Sequence, residues 1–160
     1  MANSVPATLA ANLIFPLLIV SLAAAETPPV DVMLSAAESN LRNGKLDRAE
    51  LMLKQARESY PNEGRVDLDF GLLFAQRNQA QPAAEAFAAA IKKSPDLRDA
   101  YLNLAMQNDV LKKYDAADGA YRAGTKRFPK DLELWSEWGT TLILAQRFAP
   151  SAKDSPRALK

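Results

Sequence analysis

The sequence has no cysteine and no histidine among its 160 residues. Together these absences remove disulfides, thiolate nucleophiles, Cys/His metal sites and histidine general bases. Any acid–base or metal chemistry would have to rest on carboxylates, lysines or hydroxyls. A lack of cysteine suits a reducing compartment and a periplasm equally, so it does not choose between them. An excess of either charge is missing too: 20 basic residues stand against 19 acidic ones, with no dense basic run. The electrostatic footprint of a nucleic-acid binder is therefore absent. Six Gly and ten Pro do not describe a collagen-like or low-complexity polymer, and 48% hydrophobic residues supply a substantial core.

Charge is lacking locally as well. Residues 1–25 carry no charged side chain, and the first charge is Glu26. The apolar run from Leu13 to Val20 leads into Ser21-Leu22-Ala23-Ala24-Ala25. A short apolar segment ending in small residues reads as a secretory signal, with Ala23 and Ala25 meeting the A-x-A cleavage rule. The expectation is an exported protein, placed in a bacterial periplasm. No Lys or Arg precedes the run, which departs from the usual pattern. The competing reading is an uncleaved anchor formed by residues 6–25, which Pro6, Asn12 and Pro16 weaken. Glu26-Thr27-Pro28-Pro29 follows as an extended linker, residues 26–29.

What is present is a repeat. Pro61, Pro95 and Pro129 lie 34 residues apart, which divides the chain into units 30–63, 64–97, 98–131 and an incomplete 132–160. With the prolines at repeat position 32, position 8 is always small: Ala37, Gly71, Ala105 and Gly139. Position 20 is Ala49, Ala83 and Ala117, and position 24 is Leu53, Phe87 and Tyr121. Position 27 is Ala56, Ala90 and Gly124. Positions 4 and 7 are mostly large, ending in Trp135 and Trp138. Breaks at Asn43-Gly44-Lys45, Asn78-Gln79-Ala80-Gln81 and Lys112-Lys113 split each unit into helix A and helix B. Small residues at positions 8 and 20 let the two axes approach, while the large ones fill the remaining space. Pro82 falls in the first turn of a helix B, and Asp96 or Asp131 is placed to cap the next helix A. A coiled coil would need unbroken heptads, which the regular Gly and Pro interruptions forbid.

This constellation resembles the tetratricopeptide pattern W-x2-L-G-x2-Y, then A-x3-F, A and P, over residues 30–148. Asp67 in an aromatic slot, and Asn40 and Asn108 where Tyr is common, are its departures. The resemblance implies an all-α solenoid of stacked antiparallel helix pairs wound into a right-handed superhelix. The fourth unit begins in register but fails at Pro150, Ser151, Ser155 and Pro156. Its helix A should then leave Trp138, Leu142, Ile143 and Leu144 without a neighbour, as in a fragment of a longer array or a self-association surface.

The resemblance also implies where a partner binds. In such arrays helix A positions 2, 5, 6, 9, 12 and 13 line a concave groove. Here those positions give an apolar stripe with an acidic rim, and the candidate binding residues are Leu34, Leu68, Leu72, Asp99, Leu102, Asn103, Met106 and Asp109. The alternative is that the position 5 leucines pack between helices. Family members that clamp an acidic C-terminal carboxylate use Lys, Arg and Asn there. The comparable residues here, Leu34, Glu38, Asp69, Asp99 and Asn103, would repel it. The expected partner is a protein or peptide with apolar and basic character. No cofactor and no metal are expected. An enzyme would have to use paired carboxylates such as Asp67 with Asp69, or Glu133 with Glu137, and no Gly-rich phosphate loop or nucleophile motif accompanies them. The expected role is a non-catalytic scaffold.

Overall fold

The computed structural model describes residues 27–148. The signal-like segment and the failing end of the fourth unit, including Pro150 and Pro156, lie outside the described residues. The described chain forms α1 (Val30–Arg42), α2 (Leu46–Ser59), α3 (Gly64–Gln76), α4 (Ala80–Lys93), α5 (Arg98–Val110), α6 (Tyr114–Arg127) and α7 (Leu132–Phe148). Starts of A helices and of B helices both recur every 34 residues. The architecture is an all-α solenoid, because each short connection returns the chain antiparallel to itself.

Local chemistry places the ends. Gly44, Asn78 and Lys112, at the same place in successive units, take left-handed φ values of 67°, 57° and 58°. Glycine adopts that conformation freely and asparagine tolerates it, but lysine is strained there. Each B helix closes with a backbone bond: Tyr60, Ser94 and Phe128 donate to Ala56, Ala90 and Gly124 at 2.8, 2.8 and 2.7 Å. The proline that follows holds the residue before it out of the helical region and stops the helix. Ala80 and Gln81, expected in the second break, are already helical. Pro82 is thus the third residue of α4, where its missing N–H is harmless. Asp131 caps α7 by accepting from the Leu134 N–H at 3.0 Å. Asp96 makes no such cap; α5 has no side-chain cap, whereas Glu63 caps α3 through the Arg65 N–H at 3.2 Å.

Packing follows the small–large alternation. Ala37, Ala49, Ala83, Ala105 and Ala117 are fully buried, and Leu53, Phe87 and Tyr121 fill the space beside them. Gly71 lies so close to Phe87 that an added Cβ would come within 2.4 Å of the ring. Removing each such large side chain from water contributes roughly 1.5–3 kcal/mol. The substantial contacts join consecutive helices, plus α1 to α3 and α3 to α5.

The departures from the repeat pattern have local solutions. Asp67 is buried in its aromatic slot, with Lys93 Nζ at 2.6 Å and Arg57 at 3.6 Å. The Arg57 guanidinium also lies 3.7 Å from the Phe70 ring centre, so a cation couples the two. Asn40 and Asn108 each turn Nδ2 back to a carbonyl one helical turn earlier, Ala36 and Leu104. On α7, Trp138 is not left bare: it is half-buried, and its indole N–H donates to Asp118 at 2.7 Å. Leu144 is half-buried as well, while Leu142 and Ile143 are exposed.

Candidate partner-binding groove

Helices α1, α3 and α5 stand side by side because their small residues pack against the B helices behind them. Along their free face lies an open depression of about 320 Å³. Glu38, Leu41 and Arg42 of α1, Leu68, Asp69, Leu72 and Gln76 of α3, and Asp99 of α5 line it. Leu41 is buried, and Leu68 and Leu72 are half-buried, so the floor is apolar but partly reachable.

The rim is acidic in net charge, because its carboxylates outnumber the arginines they pair with. Arg65 meets Asp31 at 2.6 Å and Glu63 at 3.0 Å, tying the second unit to the first. Arg98 likewise holds Asp131 at 2.6 Å, Glu133 at 2.5 Å and Asp99 at 2.9 Å. These carboxylate bonds raise both guanidinium pKa values and pull the Asp131 carboxyl down to about 2. Arg42 lies 3.5 Å from Glu38 and is largely exposed.

Asp69 is different. It is only 4% exposed, and its Oδ2 accepts no hydrogen bond. Burial, and then the Glu38 charge, push its carboxyl up to about 7, with Arg65 pulling the other way. A second, half-buried acid lies further along at Asp109, whose Oδ2 accepts from Thr141 at 2.5 Å. Its pKa is raised by burial and by Glu137, against the pull of the Thr141 hydroxyl.

The candidate residues divide. Leu68, Leu72 and Asp99 converge on the depression. Met106 is exposed at 42%, while Asn103 donates to the Asp99 carbonyl of its own helix at 2.8 Å. Asp109 is half-buried against α7 through Thr141. Leu34 and Leu102 are buried at 3% and 8%, so these two position 5 leucines serve helix packing and offer little to a partner. The eight lining residues all fall at the helix A positions that the resemblance assigns to a groove: Asp99 at position 2, Leu68 at 5, Asp69 at 6, Glu38 and Leu72 at 9, Leu41 at 12, and Arg42 and Gln76 at 13.

The acid pairs are drawn to different partners. Asp67 is taken by Lys93 behind α3 while Asp69 faces the groove, and Glu133 is taken by Arg98. Among the described residues no cluster of three or more acids could hold a metal ion, and no helix is long and apolar enough to cross a membrane.

Residues 31–63, the first helical pair, match the family model described as tetratricopeptide repeat. The chain folds as a tetratricopeptide-repeat protein. Comparison with curated proteins gives no match. The array is similar to the first tetratricopeptide domain of Spaghetti (RPAP3) bound to the HSP90 peptide SRMEEVD, with 14% identity and a TM-score of 0.68 over 73% of this chain and 95% of that one. It is also similar to the Sgt2 domain from Aspergillus fumigatus, at 20% identity and a TM-score of 0.68, covering 81% and 89% of the two chains. The MamA structure gives 19% identity and a TM-score of 0.67 over 74% of this chain and 69% of MamA. At these identities the tetratricopeptide likeness is one of fold.

Proposed function

We propose that this tetratricopeptide array is a non-catalytic adaptor that holds a helix or extended segment of a partner along α1, α3 and α5. One observation carries the reading: a partly exposed apolar floor of Leu68 and Leu72 is edged by Glu38, Asp69 and Asp99. Apolar side chains on such a floor would supply affinity, and basic ones would match the rim. The Spaghetti domain was solved with an acidic peptide; the acids edging the groove here have the same sign as that peptide and should reject it. Three substitutions, Leu68→Lys, Leu72→Lys and Met106→Lys, should abolish capture of a basic amphipathic peptide in titration calorimetry while the helical circular dichroism stays intact. Undiminished capture would move the site off this face, and micromolar binding of SRMEEVD would overturn the charge reading.

The location proposed is the bacterial envelope after export, supported by the uncharged stretch ending at Ala25. Intact mass of the protein made in a secreting host should begin at Glu26. A retained Met1 in the membrane fraction would favour the tethered scaffold instead.

A further inference from the structure

Three carboxylates, Asp67, Asp69 and the half-buried Asp109, each have one buried oxygen without a well-aligned hydrogen-bond donor. Asp67 has Lys93 Nζ at 2.6 Å, and Asp109 has the Thr141 hydroxyl on its other oxygen. Asp69 has neither an ion pair nor a hydrogen bond among the described residues. An acid buried without a partner is costly, and the fold spends nothing else to satisfy it. Yet Asp69 lines the depression between α1, α3 and α5 instead of lying sealed in the core.

We propose that this depression is a cation subsite, in which Asp69 receives the ammonium of a lysine side chain carried by the bound partner segment; the assignment rests on the groove reading above. Leu41, Leu68 and Leu72 give apolar surface for the methylene stem, and the charged head lands on the carboxylate. Lysine fits better than arginine for a geometric reason. With Oδ2 sealed, only one oxygen at a time can meet an incoming donor, and a half-turn of the terminal torsion merely exchanges the two. A point charge makes its full contact with one oxygen, whereas a guanidinium meeting one oxygen forgoes its bidentate fork.

The charges around the subsite are known. Glu38 and Asp99 at its mouth attract a cation, each offset in part by the arginine it meets, Arg42 and Arg98. Arg42 is occupied with Glu38, Arg65 with Asp31 and Glu63, and Arg98 with Asp99 and Asp131, so none neutralises Asp69 by contact. Burial holds much of Asp69 protonated near neutrality. An arriving ammonium favours the carboxylate, so the Asp69 proton leaves to water as the lysine docks. Binding is therefore coupled to proton release, and affinity for the lysine segment rises as pH increases through about 7.

The test uses synthetic helical peptides of Leu, Ala and Gln that differ at one central residue: lysine, arginine or norleucine. Binding is read by isotope-edited NMR at the methyls of Leu41, Leu68 and Leu72 and at the Asp69 carboxyl carbon. The lysine peptide should bind about tenfold tighter than the norleucine twin, the worth of one charge-assisted hydrogen bond, and should shift the Asp69 titration downward. Asp69→Asn should erase that preference. Glu38→Gln, on a side chain open enough to leave folding untouched, should lower it by about two- to threefold. Equal binding of lysine and norleucine peptides overturns the subsite and leaves the groove reading standing. An arginine peptide as tight as the lysine one overturns the ammonium assignment. No methyl shifts with any peptide overturns both the subsite and the groove.

Discussion

Replacing Asp69 by asparagine should stabilise the fold by an amount that grows between about pH 4 and about pH 7 and levels off above that. In the folded array burial lifts the carboxyl from its ordinary 3.8 to about 7. A folded pKa above the unfolded one means that the native state binds the extra proton. Stability from this group is therefore complete below about pH 4 and is lost as pH climbs through about 7. Some three units at 1.36 kcal/mol each set a ceiling of about 4 kcal/mol on the loss, and relaxation of the open groove brings the expected effect to about 1–2 kcal/mol. Asparagine keeps the shape but carries no charge, so its stability should not fall over that window. The absence of histidine makes the measurement clean, because no ordinary imidazole titrates between about pH 5 and about pH 8. Asp109, also raised by burial, is the second contributor, and Asp109→Asn separates it. Urea denaturation of wild type and variants across this range is the assay. Parallel stability curves for wild type and Asp69→Asn, or a less stable variant at alkaline pH, would refute the account of Asp69 as an unpartnered buried acid.

Other substitutions test the packing and the turns. Gly71→Ala should cost about 1–3 kcal/mol in urea melts because its Cβ meets the Phe87 ring at 2.4 Å. Gly119→Ala, with nothing within 4 Å, should instead gain about 0.5–1 kcal/mol. Lys112→Gly should raise the melting midpoint by removing a left-handed lysine at φ 58°, a gain of about 1 kcal/mol; an unchanged midpoint would mean the turn is not strained. Lys93→Met leaves Asp67 with only Arg57 at 3.6 Å and should cost about 1–3 kcal/mol, against at most about 0.5 kcal/mol for Lys54→Met at the exposed pair with Glu50.

The solenoid was legible because its constraints recur. A small residue is required wherever two helix axes cross closely, so Ala37, Ala105, Ala49, Ala83 and Ala117 report the same geometry in each unit. The division of the groove was less legible. Leu34, Leu68 and Leu102 share one repeat position, yet two are buried and one is half-open. Exposure at that boundary depends on the side chains facing it from the adjacent unit, which a single-unit pattern does not contain. Asp96 and Asp131 show the same limit at the caps: both follow a proline closely, but only Asp131 reaches a free N–H. The isolation of Asp69 is a tertiary property as well, since its burial and its lack of a partner depend on where Arg42 and Arg65 spend their charges.

The contact pattern, in which each helix meets only its sequence neighbours and the next A helix, has a mechanical consequence. No single layer holds the molecule shut, so opening proceeds as a front that moves inward from either end. Amide hydrogen exchange should be slowest in α3 and α4, which have packed helices on both sides, and fastest in α1 and α7. A partner lying along α1, α3 and α5 would act as a splint across the first joints. It would slow exchange in α1 most, though α1 supplies only one wall of the groove.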